Sequence, residues 1–374
     1  MSNFKKIIYA VSTLSATIIG VGLFALPYIT LKVGIWVMSG YFIVLTFVVL
    51  LIHLLFAEVA LNTKDYLRMP GYAKIYLGRW GRGISLMSAV VGLTGALLAY
   101  LIVGGKFLEQ LLAPYFGPSF GGGYEFYVLV YFAVGALLVF WGIKAVSRIE
   151  FWALIAFFAV LGLIFWQGWP AVDVSNLFVK RGGIKDFFLP YGAILFALWG
   201  ASLIPEIEEM LQGAKHLVKR VVSASILISA AVYLVFIFLV LGISGYLTSP
   251  EAVAGLKDRL GDGVVFLTII FGLLTTFTSF ITLGLTLKKI FNYDLGFSRG
   301  FSWAFACFAP LILFFAGLKD FIKVIGFVGA VMLAVEGILI ILMYNKIKKK
   351  WLLTLPLILF LVAGIVYEIF YFVN

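Results

Sequence analysis

Apolar residues run almost without interruption along this chain, broken at intervals by short clusters of Lys, Arg, Gly, Pro and Asn rather than by a recurring polar helix face. Marking those breaks predicts apolar segments at about 7–31, 35–61, 83–113, 124–143, 149–168, 186–210, 218–246, 263–288, 300–318, 321–345 and 351–372. Each can cross a ~30 Å hydrocarbon core as a helix. A barrel strand would alternate with a period of two, and these runs do not. The expected fold class is an all-α integral membrane protein with about 11 transmembrane helices.

Composition agrees: 63% of the 374 residues are hydrophobic and 12% charged, outside the range of soluble domains. The first run is too long, and too rich in glycine at its centre, for a cleaved signal peptide. The net charge of +11 is distributed rather than patched. With the N-terminus inside, 19 of the 28 Lys and Arg fall in inner segments, among them Lys64, Arg68, Lys144, Lys219, Lys289 and Lys350. The excess is therefore an orientation signal and not a nucleic-acid footprint. It predicts a multi-pass protein of the cytoplasmic membrane, with its partner the lipid bilayer, its N-terminus inside and its C-terminus outside. Loops are short. The inner stretch Asn62–Arg82 is the longest, and its MPGYAKIYLG sequence suggests a short surface helix.

Hydrolytic chemistry needs a clustered nucleophile and base, and a metal centre needs grouped His, Cys or acidic ligands. His53 lies in the second segment, His216 in an inner loop and the single cysteine, Cys307, in an apolar run. An enzyme is not expected, nor a cofactor. The informative feature is a pair of interrupted helices. TIIGVGLFALP, Thr17 to Pro27, places Gly20 and Gly22 mid-span, each costing about 1 kcal/mol against alanine. LPYGAILFALWGASLIPEIEEML in the sixth segment carries Gly200-Ala201-Ser202 followed by Pro205. Glycines at such positions either let helices approach closely or open the backbone onto a cavity. Two breaks five segments apart favour a transporter with inverted repeats and a site at the bilayer midplane.

TIIGVGLFALP is similar to the first-span signature of amino acid permeases. TSFITLGLTLKKIF, Thr278 to Phe291, resembles the eighth-span pattern of hydroxy/aromatic amino acid permeases, and FALWGASLIPEI resembles the broken sixth helix of the same amino acid-polyamine-organocation superfamily. The group commonly has an acidic residue shortly after Leu-Gly-Leu, where this chain has Lys288-Lys289. The resemblance implies a LeuT-type 5+5 inverted repeat with helices 1 and 6 broken. The core would span 1–345, with repeat one at about 7–168 and repeat two at about 186–345. Residues 346–374 would add a basic loop and an eleventh helix. The oligomeric state is left open, and one copy would hold a complete site.

In that arrangement the outer half of span one starts near Gly22 and presents free N–H groups to a carboxylate, while the outer half of span six ends near Phe196 to Trp199 and offers carbonyls to an ammonium group. The expected substrate site is Thr17, Ile19, Gly20, Val21, Gly22, Tyr100, Phe196, Ala197, Trp199 and Gly200. Its aromatic members suit a neutral hydrophobic or aromatic amino acid. Coupling is assigned to Gly20, Leu23, Thr275, Thr278, Ser279 and Glu336, which leaves two ions open. Gly20, Leu23, Thr278 and Ser279 could give sodium an all-oxygen shell, and Glu336, a carboxylate deep in span ten, could carry a proton. The expected activity is a cation-coupled amino acid symporter, with an exchanger or facilitator, or a channel, as the alternatives.

Overall fold

The computed structural model describes residues 3–116, 123–142 and 146–373. Lys144 and the end of the fourth predicted segment lie outside them. All the described elements are helical: α1 (Asn3–Ile18), α2 (Gly22–Val33), α3 (Ile35–Leu61), α4 (Met69–Phe116), α5 (Tyr124–Trp141), α6 (Val146–Gly168), α7 (Leu189–Leu198), α8 (Ile204–Met210), α9 (Val218–Ser244), α10 (Lys257–Lys289), α11 (Arg299–Phe315), α12 (Phe321–Phe327), α13 (Ala334–Lys348) and α14 (Trp351–Val373). Among the described residues eight helical units are long and apolar enough to cross a membrane. The α1–α2 pair, bent by 54° across Ile19–Val21, makes a ninth when taken as one span. Two shorter apolar helices, Ile155–Ala171 and Arg299–Phe315, cover the fifth and ninth predicted segments.

Both predicted breaks are present. α1 ends at Ile18 and α2 begins at Gly22, while α7 ends at Leu198 and the chain stays non-helical at Trp199 and Gly200 before a 3₁₀ turn leads into α8. The MPGYAKIYLG stretch forms the first turns of α4, set off by Gly78 at φ 73°. Span ten departs from a plain helix. Between α12 and α13 the backbone widens to a π turn over Val328–Leu333, and Asp320 caps the N-terminus of α12 by accepting from Lys323 N–H at 3.1 Å.

The two ends of the bundle are tied differently. At the basic end, Glu58 of α3 pairs with Lys219 of α9 and, at 3.1 Å, with Lys348 of α13. At the other end the segment after α6 straps the helix ends. Arg181 N–H donates to Leu31 O at 2.8 Å, Gly182 N–H to Lys32 O at 3.0 Å, and Asp173 N–H to Gly242 O at 3.0 Å. These bonds satisfy carbonyls that the last turns of α2 and α9 leave without a helical donor.

Candidate functional site

The two breaks meet in the middle of the bundle and interlock through their glycines. A Cβ on Gly22 would lie 2.9 Å from the Cα of Ala197 and 3.2 Å from the Phe196 ring, so α2 can reach α7 only without a side chain there. A Cβ on Gly200 would lie 2.7 Å from Ile18 Cγ1. Gly20 instead faces the Tyr100 hydroxyl, 2.9 Å from where its Cβ would be. Both readings of the glycines therefore hold, at different positions. Gly22 and Gly200 are packing contacts, and Gly20 keeps the backbone open beneath Tyr100.

At the first break Ile19 N–H donates to Ser15 O and Gly20 N–H turns back to Ile18 O, both at 2.8 Å, while Leu23 and Phe24 N–H take Gly20 O and Val21 O at 3.1 Å. The amides of Val21 and Gly22 have no backbone acceptor among the described residues. They sit at the N-terminus of α2, where the helix dipole adds positive partial charge, and both residues line a cavity.

The carbonyl ends are arranged in a way the sequence did not reveal. The hydroxyl of Tyr233, on α9 and fully buried, lies 2.5 Å from Ile18 O and 2.8 Å from Ala197 O. One phenolic proton serves two carbonyls, each at the C-terminal end of a half-helix, so Tyr233 staples the breaks together. Ala197 O, expected to face an ammonium group, is engaged by this phenol.

The second break has two further supports. Trp199 Nε1–H donates to Glu336 Oε2 at 2.9 Å. Gly200 N–H donates to His53 Nε2 at 2.9 Å, and the imidazole packs edge-on to the Trp199 ring at 5.1 Å between centroids.

These groups surround a cavity of about 460 Å³. Thr17, Ile19, Gly20, Val21, Gly22, Tyr100, Phe196, Ala197, Trp199, Thr275, Thr278, Ser279 and Glu336 all line it. Leu23 and Gly200 are buried but do not. The cavity is one-sided. Its α4 wall is made by Met69 and Pro70 and by residues from Ser88 to Tyr100, with nothing of α4 beyond Tyr100, its α2 wall stops at Gly22, and its α10 wall runs from Phe271 to Lys289. Beyond that level Phe24 packs edge-on against Phe107 at 5.1 Å and Phe236 at 6.0 Å. The open end is the basic one, rimmed by Arg68, Glu206, Lys289 and Asp294. In α10, the Thr278 hydroxyl donates to Thr275 O at 3.1 Å, and Thr275 Oγ1 lies 3.1 Å from the carbonyls of Phe271 and Gly272. Those hydroxyls therefore bond within their own helix.

A helical bundle with two broken helices interlocked at mid-depth, above a cavity open to one end, defines a LeuT-fold secondary transporter. Solved structures share the fold: Mhp1, a nucleobase-cation-symport-1 family transporter, in a closed conformation with bromovinylhydantoin bound (TM-score 0.68, 13% identity, 97% of this chain and 91% of that one) and inward-facing Mhp1 (0.69, 14%, 97% and 89%). MhsT in complex with L-phenylalanine is similar to the same degree (0.67, 15%, 99% and 98%). The chain belongs to the tryptophan/tyrosine permease family, whose model matches residues 3–355. It is also 25% identical over 402 residues to the tyrosine-specific transport system 1 of Haemophilus influenzae, covering 96% of this chain and 95% of that protein. It is thus an amino acid permease and not an enzyme, as the sequence resemblance implied.

Proposed function

We propose that the protein is a proton-coupled symporter of aromatic amino acids, tyrosine or tryptophan, in the cytoplasmic membrane, with its N-terminus and the open end of the cavity facing the cytoplasm. The Val21 and Gly22 amides would receive the carboxylate, carbonyls beside the first break the ammonium group, and Tyr100, Phe196 and Trp199 the ring. The name of the Haemophilus relative and the family description support an aromatic substrate. One observation carries the choice of ion. Glu336 is the carboxylate bonded to Trp199 at the second break, so its protonation state bears directly on the geometry of the site. Leu23, one of the four residues of the alternative sodium shell, does not line the cavity.

Uptake of labelled L-tyrosine and L-tryptophan into proteoliposomes tests this. A pH gradient in sodium-free buffer should drive accumulation, and a sodium gradient at equal pH should not. Glu336→Gln should lose accumulation while retaining counterflow exchange, because it keeps a side chain that accepts from Trp199 but cannot release a proton. Sodium-driven uptake abolished by Thr278→Ala/Ser279→Ala would overturn the proton assignment. Counterflow without accumulation under either gradient would make the protein an exchanger or facilitator.

A further inference from the structure

His53 has no part in the substrate and ion assignments above, yet it holds the backbone of the second break. Gly200 N–H lies past the end of α7, where the helical ladder has stopped, and its acceptor is the imidazole Nε2 of a residue 147 positions earlier. The other ring nitrogen, Nδ1, lies 2.8 Å from Val49 O, one turn back in α3. The partners fix the tautomer. A backbone amide can only donate, so Nε2 carries the lone pair, and a carbonyl can only accept, so Nδ1 carries the hydrogen. An imidazolium would point a second N–H at the Gly200 amide and could not keep this bond.

We propose that His53 is a positioning residue for transport. In its neutral form it supplies the acceptor that the broken helix lacks and thereby sets the Trp199–Gly200 backbone, so that the adjacent indole meets Glu336. Gain of a proton at Nε2 releases Gly200 and uncouples the two contacts. The surroundings leave this role to His53. Glu58, on α3 itself, is engaged by Lys219 of α9 and Lys348 of α13; on α8, packed against α3, Glu208 is engaged by Lys215 and Glu206 lies at the rim of the cavity. Tyr233 is bonded to the Ile18 and Ala197 carbonyls, and Glu336 reaches the break through Trp199. His53 itself is fully buried, so water cannot replace it as the acceptor for Gly200 while the break keeps this shape.

The inference deepens the reading of the second break as a binding site, but its test needs neither substrate nor gradient. Amide hydrogen exchange of the substrate-free detergent-solubilised protein, corrected for the intrinsic pH dependence of exchange, reads the Gly200 bond in peptides spanning 199–203. Wild type should be protected at neutral pH and lose protection only in strongly acidic buffer, because burial makes this imidazole resist taking a charge. His53→Gln retains an acceptor that does not titrate and should be equally protected at both. His53→Leu should exchange about fivefold to tenfold faster at both. Neutral-pH protection in His53→Leu equal to wild type would overturn the proposal, as would a wild-type protection that ignores pH or an acid response retained in His53→Gln. If the leucine variant does not fold, the wild-type and glutamine comparison still decides. A wrong substrate or ion assignment would leave these exchange results unchanged, so the two failures are distinguishable.

Discussion

At the scale of single residues, the site divides into groups that present something to a ligand and groups that hold the presenters in place. Gly20 and Gly22 look alike in the sequence, and their surroundings separate them. A methyl group on Gly20 meets a single atom, the hydroxyl at the far end of the Tyr100 side chain; one on Gly22 meets the Ala197 backbone, which cannot move aside. Gly20→Ala should therefore fold with nearly unchanged thermal stability and bind substrate more weakly, whereas Gly22→Ala should lose about 1–3 kcal/mol of stability through overpacking, read by thermal melts in detergent. Equal destabilisation of the two variants would refute this division of roles. Tyr233→Phe tests the staple. Removing the hydroxyl leaves Ala197 O without its donor and Ile18 O with only the Gly20 N–H, and should cost about 1–3 kcal/mol, with weaker binding as the breaks separate. Unchanged stability and affinity would show that water or the breaks themselves satisfy those carbonyls. The glycines were legible because they violate the helical preference of the run around them. Tyr233 and His53 were not, because each sits in an ordinary apolar run and acquires its partner from 215 or 147 residues away.

At the scale of elements, the two interruptions follow from residues that weaken a helix locally: Gly20 and Gly22 in the first, and Gly200 and Pro205 in the second, where Pro205 sits in the first turn of α8 and lacks an N–H that would be unpaired there anyway. The π turn over Val328–Leu333 has no comparable mark, since VGAVML reads as plain apolar helix. It is set by packing. Gly329 abuts the Gly192 carbonyl of α7, its would-be Cβ also lying 2.9 Å from Phe196 N, and Ser88 Oγ on α4 donates to Met332 O at 2.7 Å. Ser88 thus gives a carbonyl of the π turn a donor from the neighbouring helix. The element therefore rests α13, and with it Glu336, against α7 on one side and α4 on the other. Ser88→Ala should destabilise by about 1–3 kcal/mol, and Ser88→Thr, which restores a hydroxyl, should recover much of that. If alanine and threonine behave alike, the bond does not support the turn.

At the scale of the whole molecule, the fold class and both breaks could be read from hydropathy and glycine placement, because bilayer thickness and backbone satisfaction constrain a chain this apolar so tightly. The closed and open ends could not be read, since they depend on how far α4, α2 and α10 separate at each level. The cavity reaches from the breaks only to the end where Arg68, Lys289 and Asp294 lie, the end that the proposed orientation puts in the cytoplasm. This joins conformation to orientation in one measurement. Cys307 is buried and is the only cysteine in the chain, so Cys307→Ala gives a background without thiols at the cost of one small buried side chain. In that background Thr286→Cys places a thiol on the cavity wall toward its open end, and Tyr246→Cys places one on an exposed turn beyond the C-terminus of α9, at the opposite end. A membrane-impermeant maleimide should label Thr286→Cys in inside-out vesicles and not in right-side-out ones, with the reverse for Tyr246→Cys. Saturating L-tyrosine should slow labelling of Thr286→Cys if the occupied site favours closure. Reversed sidedness at both positions would invert the orientation while preserving the one-sided cavity. Labelling of Thr286→Cys from both sides at equal rates would mean that the population is not held in the state described, because alternating access then exposes the same wall to either face.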